Sequence, residues 1–171
     1  VDNLIMRCMD VLLAFPSIFL ALAIIAALGT GLFNLMLAAG ISSIPAFARI
    51  VRASILSLKE REFVGAARAL GSGTKRVMFR HLLPNCLAPL IVQSTLRMAT
   101  VLLTASGLSF LGLGVQPPIP EWGAMLSNAR SYLMVAPHVA TIPGLAIMVV
   151  VVGFNLFGDG LRDTLDPRLR Q

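Results

Sequence analysis

Charge is scarce in this chain. Only 13% of its 171 residues are Asp, Glu, Lys or Arg, against 57% apolar, with a mean hydropathy of +0.85. Soluble domains carry about 25% charged residues, so an ordinary water-soluble globule is excluded. From Val11 to Ala48 there is no ionisable side chain at all. Cysteine is almost as rare. Cys8 and Cys86 both fall near predicted membrane boundaries, where a reducing compartment gives no disulfide. Adding His81 still leaves too few ligands for structural zinc, so neither metal nor cofactor is expected. No aromatic residues alternate with the basic ones, as single-strand binding would favour, so nucleic acid is not an expected partner. Gly71-Ser72-Gly73-Thr74-Lys75 lacks the G-x4-G-K-[ST] spacing of a phosphate loop. There is no internal repeat and no signal-peptide pattern. The chain opens on Val1 rather than Met and reads as a piece whose upstream part is missing.

What remains is apolar and periodic in its interruptions. The uncharged run 11–48 accommodates two crossings of a ~30 Å hydrocarbon core at about 20 residues each. Gly29-Thr30-Gly31, followed by Asn34, marks the turn between them. A third span is expected near Cys86–Ser106 and a fourth near His138–Phe157. Buried helices of a soluble core are the alternative, but four in 171 residues leave too little polar surface to cover them. The fold expected is all-α, a polytopic transmembrane helical bundle of about four spans. Eight of the 14 Lys and Arg residues lie between Arg49 and Arg80, Arg7 precedes the first span, and Arg162, Arg168 and Arg170 follow the last. With four crossings these regions share one side, which the positive-inside rule makes cytoplasmic.

The stretch 62–84 is a basic, polar island between the greasy segments. A helix-forming run from Phe63 to Leu70 leads to the breakers Gly71 and Gly73, then to Lys75, Arg76 and Arg80, and to a Leu83-Pro84 stop. That layout predicts a short surface helix, a turn and a second helix returning to the membrane. Ala66, Ala67 and Ala69 are small and favour helix, which suits close approach to a partner. Gly71 is placed to take the left-handed conformation that ends a helix, and Pro84 suits the start of the next one.

The spacing of this island resembles the cytoplasmic loop of binding-protein-dependent ABC transporter permeases, E-A-A-x3-G-x9-I-x-L-P. Gly65-Ala66-Ala67 stand at the triplet, Gly71 at the glycine, His81 at the isoleucine, and Leu83-Pro84 at the end. Gly65 replaces the usual Glu and His81 the Ile. The second departure is at home in the dipeptide/oligopeptide/nickel branch, which commonly reads FRH-x-LPN as Phe79–Asn85 do. The segments 108–115, 121–126 and 155–163, with Leu165-Asp166-Pro167, also resemble that branch's C-type subunit, so the likeness covers essentially the whole chain.

The resemblance implies a membrane-spanning permease subunit of an ATP-driven importer, not an enzyme. The stretch 1–171 would be one permease domain lacking its first spans, with a coupling loop at about 49–84. Peptides are the first expectation for cargo, with nickel or glutathione-like cargo as the alternative. The implied partners are two cytoplasmic ATPase subunits, a homologous companion permease, an extracytoplasmic substrate-binding protein and the lipid bilayer of a bacterial inner membrane. The implied coupling residues are Glu62, Gly65, Ala66, Ala67, Gly71, His81, Leu83 and Pro84. Gly65 removes a charge favourable to the helix dipole and adds about 1 kcal/mol of backbone entropy cost relative to Ala; Glu62 restores part of the charge. The rivals are a truncated anchor that binds an ATPase without forming a pathway, and a stand-alone channel or secondary transporter.

Arg97 lies within the third span, where an ionisable group is costly and faces a cavity or partner. It is a candidate for lining the pathway or for a subunit contact, with snorkelling as the alternative. Between Gly107 and Pro137 the chain is expected on the outer side, with Glu121, Trp122 and Arg130 exposed. Asp159 and Arg162 are spaced for an i,i+3 pair in a mixed-charge tail that continues to Asp163 and Arg168.

Overall fold

A computed structural model describes residues 2–165, and all the regular structure in them is helical. Among the described residues three helices are long and apolar enough to cross a membrane: α3 (Leu32–Leu58), the continuous run Thr74–Phe110, and α8 (His138–Leu165). A fourth crossing exists only if the bent pair α1 (Asp2–Ala14) and α2 (Ser17–Leu28) is counted as one span.

That pair is where the expected first crossing departs from the structure. The two helices meet at 90°, because Pro16 lacks an N–H and disfavours the helical region for Phe15. Alone, the 12 residues of α2 rise only about 18 Å. α1 lies across the far part of α3, tied by Arg49 to Asp10 (2.7 Å) and Arg52 to Asp2 (2.8 Å). Arg7 therefore stays at the same end of the molecule as the basic loop.

The turn between α2 and α3 forms where the glycines place it. Gly29 and Gly31 take φ of 89° and 141°, and Asn34 Nδ2 donates to the carbonyls of Leu28 (2.8 Å) and Gly29 (3.0 Å). These are orphan acceptors of a helix end. Beside this turn Ala21, Ile25, Leu35 and Ala38 pack on Leu108 and Val115, the alanines letting three backbones approach. At mid-height α6 (Leu83–Phe110) meets α8 at Gly158, where an added Cβ would stand 2.9 Å from Thr95 Oγ1. Most of the outer stripe of α8, including Ile142, Leu145, Val149, Val152 and Leu156, is exposed. Such a surface suits hydrocarbon or a neighbouring helix, not water.

The third expected span is longer than its sequence suggests, and Leu83-Pro84 is not a stop. Helix α5 (Thr74–Arg76) runs through a π-helical turn (Val77–Leu82) straight into α6. The π turn absorbs the proline: the Leu83 N–H reaches back five residues to the Met78 carbonyl, and Asn85 Nδ2 donates to the His81 carbonyl at 2.7 Å. A wider turn of this kind re-satisfies acceptors that proline would strand. The continuous run of 37 residues is about 55 Å long, so it stands well clear of a ~30 Å core.

Beyond Phe110 the chain turns back at Gly112 (φ 81°) into α7 (Trp122–Ala129) and a 3-10 turn (Arg130–Tyr132). Glu121 is not merely exposed: its side chain caps α7, accepting from the Ala124 N–H at 2.8 Å. Arg130 stacks 3.8 Å above the Phe110 ring, while Trp122 remains partly open as expected. Asp159 and Arg162 form no ion pair among the described residues. Both are exposed, where such a pair gains only a few tenths of a kcal/mol, on the order of 0.3. Val1, Asp166, Pro167, Arg168 and Arg170 lie outside the described residues.

Candidate functional site

The basic island folds into a small platform. α3 and the Thr74–Phe110 run both continue past the level of Arg49, α3 by about 14 Å to Leu58. On these two ends sits α4 (Glu62–Ala69). Val64 and Ala67 point inward and cluster with Val77 and Leu82, against Ile55 and Leu58. Val64 is fully buried and Ala67 nearly so. Ala67 thus serves close packing within the chain, not toward a partner as its size alone had implied. The outer face of α4 carries Phe63, Ala66 and Leu70, at i, i+3 and i+7. Leu70 is 87% exposed and Phe63 40%, an apolar display with none of the described residues over it.

The turn after α4 satisfies its own carbonyls. The Ser72 N–H bonds to the Ala67 carbonyl (3.0 Å) and the Gly71 N–H to that of Arg68 (2.9 Å), the paired bonds of a Schellman close. Gly71 has φ of 80°, a value that L side chains rarely adopt, which is why glycine stands there. Glu62 occupies the first position of α4 and Arg68 its last turn, each favourable to the helix dipole. Gly65 is exposed with open space where a Cβ would go, so nothing steric demands glycine at that position.

The predicted coupling residues therefore divide. Glu62, Gly65 and Ala66 lie on the exposed side of α4, Ala67 beneath it and Gly71 at its end. His81 is half-buried in the π turn, and Leu83 and Pro84 open α6 with both side chains exposed. Arg97 is not part of this group; it sits about 20 Å further along α6. The sequence reading missed Phe63, Leu70 and Phe79, the last 68% exposed. Their signal was available as large apolar residues at helical spacing inside a basic loop.

Arg97 belongs to a second locus. It faces a narrow cleft between α3 and α6, with Ser42, Ser43, Thr100 and Thr104 around it and Ser17 of α2 at its edge. The cleft takes about 10 Å³, roughly one water. Arg97 Nε is shielded from solvent and has no hydrogen-bond partner among the described residues. The hydroxyls around it were overlooked in the sequence, although Arg97, Thr100 and Thr104 recur at i, i+3 and i+7.

Long apolar helices with uncovered flanks, and a polar platform held clear of them that leaves one face of α4 exposed, define a polytopic all-α membrane protein. The chain belongs to the family of binding-protein-dependent transport system inner membrane components, whose profile it matches over residues 1–171. It is 52% identical over 169 residues to the glutathione transport system permease protein GsiD of Shigella flexneri serotype 5b (strain 8401), covering 99% of this chain and 56% of that protein. The same figures hold for GsiD of Escherichia coli O157:H7. The dipeptide transport system permease protein DppC of Alkalihalophilus pseudofirmus is 52% identical over 170 residues, again across 99% of this chain and 56% of the relative. The chain spans just over half the length of the curated relatives it matches. The likeness to the peptide/nickel branch of ABC permeases drawn from the island and the flanking segments is borne out.

Proposed function

We propose that this chain forms part of the translocation pathway of an ATP-driven importer for peptides, and that α4 couples it to a cytoplasmic ATPase subunit. The exposed Phe63-Ala66-Leu70 face carries the reading: a short helix seated from beneath by Val64 and Ala67 has a free apolar surface to insert into a groove on a soluble protein. Basic residues gathered at that end support a cytoplasmic orientation, with the end of α8 on the same side. Two ATPase subunits, a companion permease and an extracytoplasmic binding protein complete the proposed assembly, in which 1–171 supplies one permease domain and 49–84 its coupling loop. Glutathione is a second reading for the cargo, because glutathione and dipeptide permeases match this chain at the same 52% identity.

Purification of the tagged chain from its native membrane in mild detergent, with identification of what is retained, tests the coupling. An ATPase subunit held by the native chain and lost on Leu70→Asp or Gly71→Val is the expected result. Retention of a second permease marks an assembled importer. If no ATPase is held under conditions that preserve a related intact transporter, the coupling role fails, and an uncoupled membrane anchor is the better account.

A further inference from the structure

Arg97 lies within the membrane-capable run Thr74–Phe110, with no acidic partner among the described residues. From Leu32 to Ser42 along α3 is about 15 Å, and from Ser42 to Arg49 about 10 Å, so the cleft lies near the centre of the uncharged stretch. A guanidinium at that depth is costly to hold, and such groups pair or serve a pathway. Among the described residues Arg97 makes neither an ion pair nor a hydrogen bond. Its hydroxyl neighbours do not neutralise it. Ser42 and Ser43 both donate to the Ala39 carbonyl (2.9 and 2.8 Å), and Thr104 donates to that of Thr100 (2.9 Å). Their oxygens keep only lone pairs toward the cleft, which can steady the guanidinium but bring no charge. Thr100, which also lines the cleft, is exposed.

We propose that Arg97 recognises the carboxylate of cargo passing through the membrane, its planar fork taking the two oxygens as it does in other bidentate pairs. The inference rests on the transport reading above and adds to it a chemical class: the cargo carries a carboxylate that must be deprotonated in transit. An acidic side chain of a companion subunit would satisfy the same cation, and the test separates the two.

The assembled transporter, in proteoliposomes with ATP inside and the binding protein outside, is assayed for uptake of dialanine and of dialanine amide. Because capture by the binding protein is unchanged, the ratio of variant to native uptake for each cargo isolates the membrane step. Arg97→Gln is expected to lower dialanine uptake about tenfold or more while changing that of the amide by less than about twofold, the loss of one charge-assisted interaction. Ser43→Asp, which places a fixed carboxylate beside Arg97, is expected to impair dialanine uptake to a similar degree, whether or not the amide is carried. Equal losses for both cargoes, loss of the companion permease on purification of Arg97→Gln, or normal dialanine uptake by Ser43→Asp would each overturn the proposal. ATP-dependent uptake by the native protein is the separate check on the transport reading, and its absence for both cargoes sinks both.

Discussion

The molecule ends in two short helices of eight residues each, α4 at the basic end and α7 at the opposite one, and they are held in opposite ways. Each lies beside a glycine-closed turn of the same design. At Gly112 the Leu113 N–H bonds to the Leu108 carbonyl and the Gly112 N–H to that of Ser109, both at 2.9 Å, repeating the bonds around Gly71. The likeness stops there. α7 is capped by Glu121, braced through Arg130 on Phe110, and pressed so close to α6 that a methyl at Gly123 would fall 2.8 Å from Ser106 Cα. α4 has no side-chain cap among the described residues, rests on two buried side chains, and has open space at Gly65, Gly71 and Gly73. Glycine serves contact at one end and turn geometry at the other. One helix is locked down and the other is presented.

The contrast can be broken first at the locked end. Gly123→Ala drives a methyl into backbone that has no rotamer to yield, and overpacking of this sort costs about 1–3 kcal/mol or more. Trp122, the chain's single tryptophan, is adjacent, so its emission should shift and thermal unfolding in detergent should begin earlier. An unchanged emission and midpoint would mean that α7 is not seated on α6. A smaller loss is expected at the presented end. Val64→Ala removes two buried carbons, about 1.6 kcal/mol by area, and should speed tryptic cleavage at Arg61 and Arg68 by somewhat more than about tenfold while leaving Trp122 emission alone. Cleavage at the native rate would show that the platform under α4 contributes nothing. The smallest effect has the opposite sign: Gly65→Ala should slow the same cleavage, adding about 1 kcal/mol of helix propensity in space that is already free. Faster cleavage would mean that the glycine is needed for conformation after all.

Much of this was legible in the sequence because the signals were local. The Gly29–Gly31 turn, the α4–Gly71 close and the long apolar stretches each follow from residues within a few positions of one another. The misjudged points were those that depend on distant partners. Pro84 looked like a helix stop, yet a π turn and Asn85 carry the helix through it. Pro16 lay within the first of the two crossings read from the uncharged run; the helix breaks there at the proline, and α1 is held aside by Arg49 and Arg52, about 40–50 residues away, which pair with Asp10 and Asp2. Of the alanines credited with partner contact, Ala67 turned inward because Val77 and Leu82 arrive from the next helix. The cleft around Arg97 required α3 and α6 to be placed side by side; the arginine was visible in the sequence, but its hydroxyl surroundings were not.

The unbroken run from Thr74 to Phe110 gives the chain a single stiff beam between its two faces. A beam about 55 Å long that tilts by about 5° carries its far tip roughly 5 Å, close to one helical turn, with no residue along it changing conformation. Under the orientation proposed here, whatever grips α4 inside the cell has mechanical advantage over α7 outside it. The π turn at Val77–Leu82, next to the point of grip, is an irregular joint where that stroke can be lost or trimmed.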